Sequence, residues 1–296
     1  MYAGIEAGGT KFNCIIAEDP QNILTETRIP TTTPHETLTN VIDFFLKEAL
    51  SRNVTLKSLG IGSFGPLDLN KQSPHYGCIT STPKTAWQNV NIVKELEDRL
   101  HLPVELDTDV NAAALGELCW GAGQGWQNIL YITIGTGIGG GAIIAGKPYH
   151  GLLHPEMGHI FLTQSSTKDN FKGVCPYHSH CFEGLASGPA LKAQWGQDAA
   201  LIESHHPAWD QEAFYIAQAL SIYISILSPE IIILGGGVMQ QTHLFPLIRT
   251  KVIELLNGYL QTPAILENIE HYIVPPGLGT QSGVLGAIAL ARSLDA

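Results

Sequence analysis

The sequence predicts an α/β protein built from two related halves. A strand, Gly/Thr turn, strand pattern occurs twice, and each copy opens a stretch of mixed strand and helix signals. The first copy runs from Tyr2 to Ala17, where the apolar segment YAGIE meets AGGT and then KFNCIIA. The second runs from Ile129 to Ala145, where ILYITI leads into GTG and then IGGGAIIA. A third signal is Glu230 to Leu234, read as a buried strand that ends directly on Gly235, Gly236 and Gly237.

The remaining elements follow from periodicity. His35 to Leu50 carries helical spacing, LKSLGIGSFGP reads as a strand and a tight turn, and Val90 to Leu100 is a second amphipathic helix. PVELDTDVNAAALGELCWG gives a short strand leading into a helix, Glu212 to Leu227 a long helix, and Gly277 to Ala296 a small-residue-rich helix. Without a disordered linker, a domain boundary is expected inside ordered structure near Gly116 to Gly125.

A chain of 296 residues, 44% hydrophobic, can bury a large core. Its 16 Lys and Arg against 27 Asp and Glu give a formal charge of −11, which disfavours capture of nucleic acid or an anionic membrane. A phosphate ligand must then be held locally, by backbone N–H groups, a metal or a few side chains. The start, MYAGIEAGGTKF, carries no leader pattern, and no apolar run approaches the ~18 residues of a membrane span, so a cytosolic protein is expected. Five cysteines point to thiols or metal ligands ahead of disulfides.

Gly8, Gly9 and Thr10 in the first turn and Gly135, Thr136 and Gly137 in the second offer phosphate backbone donors, no obstructing Cβ and a hydroxyl. Either turn alone is an ordinary hairpin; with the Gly235 to Gly237 cluster they point to nucleotide binding. The G-x-x-x-x-G-K-[ST] loop and the protein-kinase motifs are missing, so a phosphotransferase here needs another architecture. Asp109, where strand gives way to helix, reads equally as a helix N-cap and as a general base. Asp107 is the competing carboxylate, and Asn111 a polar neighbour.

His159, Cys175, His178 and Cys181 make a full tetrahedral zinc set, the last three spaced C-x2-H-x2-C, with His180 and His154 as alternatives. Cys14, Cys78 and Cys119 are expected to pack as small hydrophobes. Glu156 and Glu183 flank the metal loop, and paired carboxylates suit the hydroxyls of a sugar.

Together these segments resemble the ROK family (repressors, open reading frames and kinases), and most closely its fructokinases. The resemblance rests on IEAGGTKF, GSFGPLDL, TPKTAWQN, DTDVNAAALGE, ITIGTGIGGG, HPEMGH, CPYHSHCFEGLASGPA and ILGGGV, in that order along essentially the whole chain. It implies an actin-like ATPase (ribonuclease H-like) fold, two α/β domains around a cleft. The small domain would comprise 1–118 with 280–296, and the large one 119–279. It implies ATP-dependent phosphorylation of a hexose, fructose to fructose 6-phosphate first, with mannose, glucose or N-acylmannosamine as alternatives. A non-catalytic sugar sensor is the rival from another class.

By the same resemblance Asp109 is the catalytic base. Gly8, Gly9, Thr10, Lys11, Gly135, Thr136, Gly137, Pro189, Gly235, Gly236, Gly237 and Val238 form the ATP site. Gly65, Pro66, Thr82, Asn111, Glu156, His159 and Glu183 meet the sugar, and His159, Cys175, His178 and Cys181 hold zinc. Glu6 stands where many members have Asp, and is expected near magnesium. Repressor members begin with a helix-turn-helix domain, whereas this chain starts at its first strand, an expectation against DNA binding. A homodimer is the expected assembly.

Overall fold

A computed structural model describes residues 1–164 and 171–295. They pack into two units, one of Met1–Gln124, Lys147–Pro155 and Gln281–Ala296, the other of Gly125–Gly146 and Glu156–Thr280. The first begins with an antiparallel meander of β1 (Tyr2–Ala7), β2 (Lys11–Ala17) and β3 (Ile23–Pro30). There follow α1 (Pro34–Ser51), β4 (Leu59–Ser63), α2 (Ile92–Leu100), β5 (Val104–Thr108) and α3 (Asp109–Trp120). The second unit opens with β6 (Ile129–Ile134) and β7 (Ile138–Ile144). After the two-residue β8 (Lys147–Pro148), in a segment of the first unit, it continues with α4 (Phe182–Ala186), α5 (Gly188–Trp195), α6 (Ala208–Leu227) and β9 (Ile231–Gly235). It ends with α7 (Leu244–Leu256), the one-turn α8 (Pro263–Leu266) and α9 (Ile269–Tyr272), and β10 (Ile273–Val274); α10 (Ser282–Arg292) then completes the first unit.

The two sheets share one plan, as the duplicated turn pattern predicts. In the first, ordered β3-β2-β1-β4-β5, β1 is antiparallel to β2 and parallel to β4. In the second, where β10, β9, β6 and β7 are successive neighbours, β6 is antiparallel to β7 and parallel to β9. Each unit has its own apolar core, around Ile5, Phe45, Ile61 and Trp87 in the first and Ile132, Phe182, Trp209 and Leu234 in the second.

Local chemistry sets the element ends. Thr33 caps α1, with Pro34 in its first turn, where no amide donor is missed. Asn91 caps α2, which His101 ends in the left-handed region at φ 56°. The small-residue tail has a packing reason: a Cβ on Gly60 of β4 would land on the Ala287 carbonyl oxygen, and one on Gly286 of α10 on that of Ala112 in α3. Glycine therefore lets α10 lie directly on β4 and α3.

Three sequence expectations are corrected here. The long helix starts at Ala208, because Ala208 and Trp209 are buried and extend its apolar face beyond Glu212. A boundary at 118 would cut α3, which runs to Trp120; the first unit reaches Gln124 and also takes Lys147–Pro155, expected in the large domain. Cys14 and Cys78 are buried, but Cys119 is exposed on α3. No helix among the described residues is long and apolar enough to cross a membrane.

Candidate active site

In the first unit, β5 delivers Asp107 and Asp109 to the start of α3 with different surroundings. Asp107 is 3% exposed. Its Oδ1 accepts the Thr108 N–H at 2.7 Å and the Asn111 Nδ2–H at 2.8 Å, and the His150 ring nitrogen Nε2 lies 3.0 Å away. That hydrogen bond is the main cause of a raised His150 pKa. Asp109 is half-buried, the first residue of the helix, and its Oδ1 accepts the Val110 N–H at 2.9 Å. The N-cap is Thr108, whose Oγ1 accepts the Asn111 N–H at 3.1 Å. Asp107 is thus built into the scaffold. Asn111 is buried, with its Oδ1 unpartnered.

The other first-unit candidates line turns. Gly8 spends its N–H on the Lys11 carbonyl at 3.0 Å, closing the first turn, and Thr10 and Lys11 are exposed. The Gly65-Pro66 turn packs against His154, whose Nε2 accepts the Leu67 N–H at 3.0 Å. Thr82 is buried, and its carbonyl accepts from Gln88 Nε2 at 2.8 Å. Glu6 is mostly buried, which pushes its carboxyl up against the opposing hydrogen bond from Asn13. Asn13 Oδ1 beside it is buried without a partner, so the pair offers oxygen ligands that suit a hard cation such as magnesium.

The second unit gathers the other glycine features. Gly135 donates to the Gly137 carbonyl at 2.9 Å, and Thr136 at the tip is exposed. Gly188, next to Pro189 at the start of α5, donates to the Gly135 carbonyl at 2.8 Å. Gly235 to Gly237 pack on the end of β6: Gly236 has φ +92°, and a Cβ there would strike the Ile134 backbone. Val238 is buried just beyond. Glu183 Oε2 accepts the Ile138 N–H at 2.9 Å. The Glu156 carboxyl is pushed up, first by burial and then by the charge of Glu183.

The metal candidates come together. His159 Nδ1 lies 3.8 Å from Cys175 Sγ and 3.7 Å from Cys181 Sγ, and Cys175 Sγ lies 3.9 Å from His178 Nδ1. Zinc ligands at their usual bond lengths in a tetrahedron stand about 3.3–3.8 Å apart, and the four donor atoms all lie within 4.8 Å of one another, so the donor types suit zinc and the longer pairs would have to close in on it. His180 is not in the cluster, and His154 is committed to Leu67. Strand-like pairing of Phe161 with Cys181 brings His159 to the cysteines. Burial pushes the Cys181 thiol up to about 11, so a bound cation would have to displace its proton.

The reading of the sequence missed His150, a lone histidine whose partner Asp107 is remote in the chain, and the Ile138 N–H, which carries no side-chain signal.

The sequence profile described as the ROK family matches residues 2–294. The fructokinase of Zymomonas mobilis is 43% identical over 100% of this chain and 97% of its own. That of Lactococcus lactis subsp. cremoris is 44% identical over 99% of this chain and 97% of its own. A crystal structure of a ROK family glucokinase from Streptomyces griseus, in complex with glucose and AMPPNP, superposes with a TM-score of 0.75 at 25% identity, covering 99% of each chain.

Proposed function

Because this chain belongs to the ROK family, we propose that it transfers the terminal phosphate of ATP to a hexose, with fructose, converted to fructose 6-phosphate, as the preferred acceptor. The observation that carries the catalytic assignment is the division of labour at the start of α3, where Thr108 caps the helix and Asp107 is locked by three donors. Asp109, half-buried at the first residue of α3, is the carboxylate this proposal assigns to chemistry. It accepts the proton of the sugar hydroxyl as that oxygen bonds to the γ-phosphorus; the bond from this phosphorus to the β,γ-bridging oxygen breaks, and ADP departs.

Glu156, Glu183, His159, Gly65, Pro66, Thr82 and Asn111 are the residues this proposal assigns to the hexose. Nucleotide binding is assigned to Gly8, Gly9, Thr10 and Lys11, to Gly135, Thr136 and Gly137, and to Pro189 and Gly235 to Val238. Since Gly8 and Gly135 spend their amides closing the turns, Gly9, Thr10, Thr136 and Gly137 are the donors offered to phosphate. Glu6 with Asn13 would hold magnesium, and His159, Cys175, His178 and Cys181 zinc. When bound, magnesium supplies charge neutralisation on the phosphates, and zinc a cross-link that steadies the loop carrying Glu156 and Glu183. We extend the proposal to a cytosolic homodimer, which sedimentation would check.

The test is ATP-dependent phosphorylation across a panel of hexoses, with Asp109→Ala beside the wild type. Turnover highest on fructose and lost in the variant is the expected result. Turnover highest on glucose, mannose or N-acetylmannosamine would move the acceptor, and sugar binding with no turnover would make the chain a sensor.

A further inference from the structure

The side chain of Glu183 links two parts of the second unit that the proposal gives to different substrates. Glu183 lies in the first turn of α4, and its Oε2 accepts the N–H of Ile138, the residue that follows Gly135, Thr136 and Gly137, at 2.9 Å. A Cβ on Gly137 would stand 2.8 Å from that same oxygen, so glycine there keeps the carboxylate seated. The backbone adds a second link. Ser187 donates to the Glu183 carbonyl at 3.2 Å, and the next residue, Gly188, donates to the Gly135 carbonyl at 2.8 Å. The turn is thus tied at both ends to α4 and α5, and Glu183 provides the side-chain tie.

We propose that Glu183 is a positioning residue that couples hexose to nucleotide: Oε2 holds the second phosphate turn while Oε1 meets a sugar hydroxyl, so that seating the sugar fixes the turn. This rests on the assignment of Glu183 as a hexose contact. A carboxylate bonded at both oxygens has one permitted orientation, whereas one bonded at a single oxygen can swing and take the Ile138 amide with it. Coupling of this kind is reciprocal, so the nucleotide must tighten sugar binding by the factor with which sugar tightens nucleotide.

The experiment is calorimetric titration of fructose with and without magnesium and a non-hydrolysable ATP analogue, on the wild type, Glu183→Ala and Glu183→Gln, each first shown to be folded by its thermal melt. In the wild type the analogue should tighten fructose at least about fivefold. That factor should fall close to one in Glu183→Ala. Glu183→Gln, whose amide oxygen can still accept the Ile138 N–H, should retain it. Unchanged fructose affinity in Glu183→Ala overturns the hexose contact itself. Weakened fructose binding with the coupling factor intact overturns the tether and leaves the contact standing, and a wild type without coupling overturns the proposal outright.

Discussion

Thr108 is the N-cap of α3, accepting the Asn111 N–H at 3.1 Å, while Asp109, one residue later, takes only the adjacent Val110 N–H at 2.9 Å among the first-turn amides. Stability and turnover should therefore separate at this junction. Asp109→Asn is expected to lower kcat by a factor on the order of 10² or more with its melting temperature close to wild type. Thr108→Ala should cost about 1 kcal/mol in a urea titration. A large loss of stability in Asp109→Asn would return that residue to the scaffold.

The packing of α10 gives a second expectation. Ser282 Oγ donates to Glu117 Oε1 at 2.7 Å, and the Ala122 N–H donates to Oε2 at 2.7 Å, with Glu117 fully buried. Ser282→Ala removes one donor from a buried carboxyl and should cost about 1–3 kcal/mol. Gly286→Ala, whose methyl group would collide with the Ala112 carbonyl oxygen, should cost more than Ser282→Ala in the same titration.

Glu212 of α6 is 1% exposed, its Oε1 has no partner, and burial pushes its pKa well above the usual 4.5. The native state then keeps a proton that the unfolded chain releases above that pH. The stability this group contributes is fully present below pH 4.5 and drains away as pH rises towards the native-state pKa, by about 1.4 kcal/mol per unit. Glu212→Gln, which cannot ionise, should gain on the wild type in urea melts as pH rises above about 5. A gap that stays constant with pH would mean that Glu212 ionises in the folded protein as it does in the unfolded chain.

The metal centre is tested by elemental analysis and chelation. About one zinc per chain is expected in protein purified without chelators, and its removal should lower the melting temperature and raise the fructose KM. Cys175→Ser should reproduce both effects. Metal-free protein with an unchanged melting temperature and KM would leave the four ligands as a packed cluster.

The features legible in the sequence were those with a short-range signature. The two turns show as glycine between apolar runs, and the Cys175, His178, Cys181 spacing is compact enough to read directly. His159 joins them only through the pairing of Phe161 with Cys181, a tertiary event that composition merely suggested. The segment alone left Asp109 between helix cap and base, with Asp107 as the competing carboxylate, because the distinguishing contacts are tertiary: His150, brought to Asp107 from a distant loop, and the cap of α3 at Thr108. α7 went unread, and exposed Cys119 was taken for a core residue because the apolar neighbours in ALGELCWG share a helix with it but face elsewhere.

The placement of α10 bears on how the chain is made. The first 124 residues leave the ribosome with β1, β4 and α3 in hand, but the helix that covers them, Ser282–Arg292, is synthesised after the whole second unit. The earlier-born half is thus the later one to finish, waiting with an apolar face uncovered while its successor folds. A nascent chain stalled or truncated before residue 282 should therefore expose sticky surface near its beginning rather than at its cut end, and chaperones would be expected to engage it there.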